Sequence, residues 1–231
     1  MTFGTFESKL ADILTDFESG LPDNIKLAYL PASGIIKLRL TGTGTDHNSL
    51  LRLITEQVGK LNKIIPEFIY AEDEESLEMV IGKLLKSAKK TVCTAESCTG
   101  GEVAHLLTSV AGSSAYYKGS VIAYANSVKT QLLGVEEDII EKYGAVSQET
   151  VKEMAIGARK LLNTDYAVAT SGIAGPDGGT KTKPAGTIWI AVASGKGVVF
   201  EKHVFGNDRI TNIKRFTLAA LNFLRKQIIN S

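Results

Sequence analysis

The chain has 231 residues, and its 26 Lys and Arg side chains nearly balance its 25 Asp and Glu side chains, leaving a net charge of +1. This length predicts one or two domains. A near-neutral charge argues against a nucleic acid or an acidic membrane as the main partner, because both select basic faces. With 44% hydrophobic and 22% charged residues and no apolar run of membrane-spanning length, the composition excludes collagen-like, disordered and transmembrane proteins.

The N-terminus and the cysteine content indicate a reducing compartment. The first residues include Glu7 and Lys9 and have no apolar segment typical of a signal peptide, so we expect a cytoplasmic protein. Cys93 and Cys98 have a spacing that fits neither a zinc knuckle nor a redox pair, which favours free thiols. The three histidines are far apart in the sequence, so no metal site is predicted.

The first 71 residues predict a small α+β domain. From apolar spacing we predict, in chain order, a helix over residues 6–17, strands over 25–30 and 35–40, a helix over 49–63 and a short strand over 68–70. The two longer strands would form a hairpin that turns at Pro31-Ala32-Ser33-Gly34. The acidic run Glu72-Asp73-Glu74-Glu75 suits the start of a following helix. We therefore place the domain boundary there, with domains over residues 1–71 and 76–231.

The second domain alternates between helices and strands. We predict helices over residues 77–88, through 129–133 to a stop at Gly134, over 148–162 with Ser147 as N-cap, and over 209–228. Predicted strands cover residues 91–95, 119–124, 166–170, 187–193 and 198–205. The predicted fold class is therefore α/β, a three-layer α/β/α sheet domain preceded by the small α+β domain. Ligands in such sheets bind at strand ends.

Four polar, glycine-rich segments stand out in the second domain. They are T-A-E-S-C-T-G-G at 94–101, A-G-S-S at 111–114, Y-A-N-S-V-K at 124–129 and S-G-I-A-G-P-D-G-G at 171–179. None fits a Rossmann, Walker or G-x-S-x-G pattern. The first places backbone amides at a strand-to-helix turn, where an anion or oxyanion is favoured and Ser97 and Thr99 would face it. A tight turn with a capped helix explains the same residues, and both interpretations stay open.

Lys129 is the candidate base, because histidines are scarce. A lysine normally titrates near ~10.4, so a neutral amine at physiological pH needs a lowering of ~3 units, which requires burial or a nearby positive charge. Tyr124, five residues earlier, could orient the lysine or share its proton. On the residues alone, a solvated lysine is the favoured interpretation, because most lysines on helices are solvated.

Taken in order, these segments resemble the C-terminal domain of the CinA (competence/damage-inducible protein) family, the nicotinamide mononucleotide amidohydrolases. The resemblance also includes L-G-V at 133–135, G-A-V-S at 144–147 and G-x-x-R at 206–209, and it extends from about Ser76 onward. The first 70 residues resemble the KH-type middle domain of full-length members, notably at Leu21-Pro22 and over residues 25–31. The larger N-terminal domain of those members has no match in these residues.

The resemblance implies a serine/lysine-type carbon–nitrogen hydrolase of pyridine nucleotide salvage. It would deamidate nicotinamide mononucleotide to nicotinate mononucleotide and release ammonia, without metal or cofactor. It places Tyr124 and Lys129 at the catalytic centre, with Ser114 or Ser97 as nucleophile and a slight preference for Ser114. The substrate-binding residues that it implies are Thr99, Gly100, Asn126, Ser171, Gly172 and Arg209. Arg209 suits the phosphate, because a guanidinium can grip it bidentately.

Other hypotheses remain open at this point. Cys98 could be the nucleophile, assisted by Glu96 and Lys129, because a helix N-terminus lowers a thiol pKa. The chain could also be a catalytically silent nucleotide-binding module. Nucleic-acid binding by the first domain is disfavoured by the near-neutral charge and by the lack of a G-x-x-G loop between helices. The expected partner is a small pyridine nucleotide, with no nucleic acid and no membrane; a homodimer stays open.

Overall fold

The computed structural model describes residues 1–32 and 34–231 and divides into two compact units, Met1–Ser76 and Leu77–Ser231. The elements of the first unit are β1 Thr2–Phe3, α1 Glu7–Ser19, β2 Ile25–Ala32, β3 Ile35–Gly42 and α2 His47–Ile64. The predicted hairpin is present as antiparallel β2 and β3. Its turn prediction includes Ser33, which lies outside the described residues.

The first unit is a three-stranded antiparallel sheet, in the order β1-β3-β2, covered by helices. Buried apolar residues of α1, of α2 and its C-cap, and of β3 form one small core; they are Leu10, Leu14, Phe17, Ile36, Leu61 and Ile65. The strand predicted over residues 68–70 is reduced to one bridge, between Ile69 and Thr2. β1 was not predicted, because two residues carry no periodic pattern.

The second unit holds a five-stranded sheet. Its elements are α3 Leu77–Ala88, β4 Val92–Glu96, α4 Glu102–Ser109, β5 Tyr117–Ile122, α5 Asn126–Leu133, α6 Glu137–Tyr143, α7 Gln148–Leu162, β6 Tyr166–Gly172, β7 Thr187–Ser194, β8 Gly197–Val204 and α8 Arg209–Ile229. The strand order is β5-β4-β6-β7-β8. β5, β4 and β6 run parallel, while β7 and β8 follow as antiparallel neighbours. The sheet is thus mixed, and α4 and α6 are helices that the sequence analysis did not predict.

Helices cover both faces of this sheet, as the predicted α/β fold class requires. Alternate residues along the strands face α7, and those facing it are mostly small: Cys93, Ala95, Ala167, Ala169, Ala191 and Ala193. Small side chains let α7 approach the sheet closely. α4 contacts β4 and β5, and α8 contacts β6 and β7 and packs against α3 and α4, which forms the other outer layer. The three parallel strands end at one edge of the sheet, where a ligand site is expected.

A close helix contact fixes α5, the short helix that follows β5. α5 ends at Gly134, which adopts the left-handed conformation with φ of 68°. There the chain passes directly over Gly157 of α7: a Cβ added at Gly157 would overlap the Leu133 carbonyl group, with the carbonyl carbon 2.7 Å away. Only glycine leaves room for this backbone contact, so α5 and α7 are held in one relative position.

We expect Gly157→Ala to destabilise the second unit by about 3 kcal/mol, because the new methyl group must push the end of α5 away from α7. Gly59→Ala is the matched control. Gly59 also lies inside a helix, but a Cβ there would meet no atom within 4 Å. The control should therefore stabilise α2 by up to about 1 kcal/mol through helix propensity. Denaturant unfolding of both variants checks the sign, and a stable Gly157→Ala protein would contradict the packing described.

Candidate active site

The carboxyl ends of β4, β5 and β6 bring three predicted site segments together. Glu96, the last residue of β4, pairs with Ile122 of β5 on one side and with Thr170 of β6 on the other. Neighbouring strands lie about 4.8 Å apart. Ser97 directly follows β4, and the loop from β5 leads into α5 with Lys129. Lys129 and Ser97, one of the two candidate nucleophiles, therefore follow adjacent strands at one edge of the sheet.

Lys129 is buried, with only 1% of its surface exposed. Its Nζ donates to the carbonyl oxygen of Ala123 at 2.8 Å and to that of Tyr124 at 3.1 Å. Burial lowers the pKa of Lys129 below its ordinary value, and the nearby Cys98 sulfur acts weakly in the opposite direction. A neutral amine can donate both of its N–H groups to these carbonyls and keep its lone pair for a third direction. The solvated alternative for Lys129 is wrong.

The backbone of Ser97 is held from two sides. Its N–H donates to the Thr170 carbonyl oxygen at 3.0 Å, and its own carbonyl oxygen accepts from the Gly100 N–H at 3.2 Å. The side chain is half-buried. Within the described part of the chain, no hydrogen bond engages the Ser97 hydroxyl. Ser97 therefore has a backbone held by two hydrogen bonds and a hydroxyl group that is free to contact a ligand.

The first turn of α4 does not provide the open anion site that the sequence analysis considered. The side chain of Glu96 accepts hydrogen bonds from the N–H groups of Gly101, Val103 and Ala104. These are the amides that an external anion would otherwise use. The sequence analysis missed this capping role. The available signal was an acidic residue at the end of a strand whose five residues are all buried.

Two predicted substrate-binding hydroxyls point inward instead of toward a ligand. Thr99 is buried, and its hydroxyl donates to Glu96 at 2.7 Å and lies 2.8 Å from the Thr170 hydroxyl. Ser171 is also buried, and its hydroxyl donates to the Ala145 carbonyl oxygen at 2.7 Å. Both bonds satisfy groups that have lost water. The prediction that Thr99 and Ser171 line the pocket with their hydroxyls is therefore corrected.

Ser114, the slightly preferred nucleophile of the sequence analysis, lies at the other edge of the sheet. It belongs to a 3-10 turn, Ser113–Ala115, just before β5, and the first residue of β5 pairs with Val92, the first residue of β4. About 13 Å of strand separates that edge from the one that carries Ser97. The structure does not bring Ser114 together with Lys129, so Ser97 is the serine that the geometry favours.

Tyr124 and Arg209 form the exposed side of the candidate site. Tyr124 is 63% exposed, and its hydroxyl accepts from the Arg209 guanidinium at 3.1 Å. Arg209, at the start of α8, also donates to the Gly175 carbonyl oxygen at 3.3 Å. Asn126 is the first residue of α5 and is exposed. The side chains of these residues are accessible to a ligand at the carboxyl edge.

Gly100 and Gly172, the two glycines predicted to bind substrate, have different structural roles. Gly100 is exposed, has a φ of +63° and would meet no atom within 4 Å if it carried a Cβ, so the turn conformation alone favours glycine there. At Gly172, a Cβ would lie 2.5 Å from the Thr187 carbonyl oxygen and 3.0 Å from the Cys98 sulfur. Gly172 therefore permits close packing between strand ends.

Cys98 does not have the properties of a reactive thiol. It is buried, and burial raises its pKa to about 12. The sequence hypothesis expected a helix N-terminus to lower this pKa, but Glu96 occupies the first-turn amides of α4. Because the thiolate is the reactive form, a thiol so strongly protonated is a poor nucleophile.

The first unit contains a separate groove of about 370 Å³, lined by α2, by β3 and by residues at both ends of the unit. Lys37 and Arg39 lie on its lining together with the acidic residues Glu72, Asp73 and Glu74, so its charge is mixed. None of the predicted site residues lines it. Within residues 1–32 and 34–231, no helix has both the length and the apolar character to cross a bilayer, and no group of three or more His, Cys, Asp and Glu side chains could hold a metal ion.

Comparisons with known proteins agree on one family for both units. The model of the CinA C-terminal domain matches residues 74–228, and that of the damage-inducible protein CinA KH domain matches residues 1–71. A CinA-like protein of Cytophaga hutchinsonii is 51% identical over 98% of this chain and 54% of its own length. A CinA-like protein of Flavobacterium psychrophilum is 44% identical over 100% of this chain and 56% of its own length. The chain thus spans about half the length of these curated relatives.

Solved structures resemble the larger part of the chain. The competence/damage inducible protein CihA from Agrobacterium tumefaciens is 36% identical, with a TM-score of 0.64 over 68% of this chain and 96% of that one. The competence damage-inducible protein A from Klebsiella pneumoniae is 32% identical, with a TM-score of 0.64 over 66% of this chain and 95% of that one.

The burial of Lys129 predicts a specific pH dependence of stability. Its folded-state pKa lies below the ordinary value of 10.5, so between these two values the unfolded chain binds more protons than the folded one. The free energy of unfolding should therefore rise with pH over that window. We expect the difference between the wild type and Lys129→Met to shift in favour of the wild type as the pH rises toward 10.5.

Denaturant unfolding at a series of alkaline pH values measures this difference. Lys118→Met is the control for the loss of one positive charge, because Lys118 is exposed on the edge strand β5. If the difference between the wild type and Lys129→Met did not change with pH, the amine would not be desolvated in the folded protein.

Proposed function

Because the chain belongs to the CinA family, we propose that it is a hydrolase that deamidates nicotinamide mononucleotide to nicotinate mononucleotide and releases ammonia. One observation carries this proposal: a buried lysine with a lowered pKa, fixed by two carbonyl oxygens, lies at the sheet edge that presents Ser97. Serine attack on an amide needs a base that is neutral at working pH. Lys129 fits this need better than the three histidines, which belong to no such arrangement.

The first half of the reaction forms an ester. The Ser97 oxygen attacks the amide carbon while the Lys129 amine takes the serine proton. The resulting oxyanion needs donors, and the amides of Cys98 and Thr99 are those left at the turn, because no other described residue accepts from them. When the intermediate collapses, the Lys129 ammonium returns its proton to the departing nitrogen. Ammonia leaves, and the acyl group stays on Ser97.

The second half restores the enzyme. A water molecule loses a proton to Lys129 and attacks the ester carbon, and Ser97 leaves after regaining that proton. Nicotinate mononucleotide is released as the acid. Tyr124 lies at the mouth of the site with its hydroxyl held by Arg209, so it can orient the substrate or relay a proton between Lys129 and the outside. No metal or cofactor is required at any step.

Nicotinamide mononucleotide provides the test. The purified chain should release ammonia and form the acid in equal amounts. We expect Ser97→Ala and Lys129→Met each to lower kcat by about 1,000-fold, since each removes a group that takes part in bond making or proton transfer. Ser114→Ala is the matched control: it makes the same change in a neighbouring motif, at the opposite sheet edge, and should keep the wild-type rate.

Three other outcomes of these experiments would each contradict a different part of the proposal. Loss of activity in Ser114→Ala together with an active Ser97→Ala would contradict the assignment of the nucleophile. Nucleotide binding by calorimetry with no ammonia would support a catalytically silent binding module instead. Activity lost in Cys98→Ser but kept in Ser97→Ala would support the thiol hypothesis.

Arg209 should act on the phosphate of the substrate. We expect Arg209→Gln to raise KM for nicotinamide mononucleotide by about 10- to 100-fold, which corresponds to the loss of a charge-assisted hydrogen bond. Nicotinamide riboside, which lacks the phosphate, is the control substrate. Steady-state kinetics should show that the substitution leaves its kcat/KM nearly unchanged. An equal loss for both substrates would mean that Arg209 acts through Tyr124 instead.

A further inference from the structure

Glu96 is a fully buried acidic residue for which the proposed reaction has no use. Both oxygens of its side chain accept hydrogen bonds. Oε2 accepts from the Thr99 hydroxyl at 2.7 Å and from the N–H groups of Gly101 at 2.9 Å and Val103 at 3.1 Å. Oε1 accepts from the Ala104 N–H at 2.8 Å and from the Thr94 hydroxyl at 3.2 Å. Every one of these partners is a donor, so both side-chain oxygens of Glu96 act as hydrogen-bond acceptors.

This carboxylate replaces the usual helix cap. The N-cap position of α4 is Gly101, which has a φ of 103° and no side chain with which to cap. Glu96 supplies the missing acceptor from the end of β4, across the intervening turn. The turn is thus fastened to the helix at one end by Glu96, while the neighbouring Ser97 N–H fastens it to β6 through the Thr170 carbonyl oxygen. The Thr99 hydroxyl links the two attachments, since it contacts both Glu96 and Thr170.

We infer that Glu96 is a positioning residue, whose carboxylate fixes the turn of residues 97–101 so that the Ser97 hydroxyl faces the Lys129 amine. This inference rests on the proposed function, because Ser97 and Lys129 are the pair being positioned. Ser97 is the next residue in the chain, so any rotation of the Glu96 backbone moves its hydroxyl directly. Reacting groups misplaced by about 1 Å lose on the order of 100-fold in rate.

Glu96→Gln is the decisive variant, because it keeps the shape and replaces one oxygen by an NH₂ group. Whichever of the two oxygen positions the NH₂ group takes, it faces at least one backbone N–H group of α4 or its N-cap. An NH₂ group cannot accept that hydrogen bond, so the bond is lost. We expect kcat to fall by about 100-fold while KM changes by less than about 3-fold. The matched control is Glu102→Gln. Glu102 lies in the first turn of the same helix, and among the described residues its side chain makes no hydrogen bond to the turn. The substitution removes the same formal charge and leaves the backbone bond from Glu102 to Thr99 in place, so its kcat should equal that of the wild type.

Two further measurements separate positioning from a loss of folding. Titration with a fluorophosphonate counts the chains that carry a reactive Ser97, and kcat is expressed per titrated site. Hydrogen exchange reports on the amides of Gly101, Val103 and Ala104, which should lose protection in Glu96→Gln. If Glu96→Gln does not fold, Thr99→Val removes a single donor at nearly constant volume, and its kcat should fall by about 10-fold.

The outcomes are distinguishable. A wild-type chain that releases no ammonia overturns the proposed function, and this inference with it. An active wild type, inactive Ser97→Ala and a Glu96→Gln with full kcat per titrated site overturn this inference alone. A fall in kcat that is the same for Glu96→Gln and Glu102→Gln also overturns it, because the charge near the helix would then matter and the hydrogen bonds to the turn would not.

Discussion

The second unit must accommodate a buried amine, that of Lys129. Lys129 needs acceptors for its hydrogens, and the chain leaving β5 supplies two carbonyl oxygens at hydrogen-bond distance. The amine is buried, and α5, the helix that carries it, packs against α7 at Gly157. A larger residue at that contact would move the helix that carries the lysine. The small residues on the α7 face of the sheet let α7, the helix against which α5 packs, lie close to the strands.

The site keeps its buried carboxyl group, Glu96, apart from its buried amine, Lys129. Within residues 1–32 and 34–231, the partners of Glu96 are neutral hydroxyls and backbone amides, and those of the Lys129 amine are backbone carbonyls. Had the two side chains formed an ion pair, the carboxylate would have held the lysine in its protonated form. Because each group has its own hydrogen-bond partners, burial has the largest effect on the pKa of Lys129. The amine is thereby suited to accept a proton, while the carboxylate shapes the backbone beside it.

The sequence predicted best those elements that local signals define. The α7 helix and its Ser147 cap follow from apolar spacing and one hydroxyl, and the structure has both in the predicted positions. β1 and the strand predicted over residues 68–70 depend on pairing with distant residues. β1 was therefore missed, and the predicted strand is in fact a single bridge. The order of the sheet strands is likewise a matter of long-range contacts.

Within the site, motif matching found the right segments but not the direction of each side chain. The prediction of a strand from residue 119 already placed Ser114 before that strand, at the wrong end for Lys129; the preference for it came from the motif alone. Thr99 and Ser171 face inward because a buried carboxylate and a buried carbonyl each need a donor. No residue pattern reveals such a need before the packing is known.

The occupied start of α4 also bears on how the reaction ends. Deamidation converts a neutral group into a carboxylate, so the product acquires a negative charge at the reacting end. A helix N-terminus can stabilise such a charge through its free N–H groups. At α4, however, these N–H groups donate to Glu96. Under the proposed chemistry, the new anion would find fewer donors than an empty helix start offers, which favours departure of the product and weakens its competition with fresh substrate.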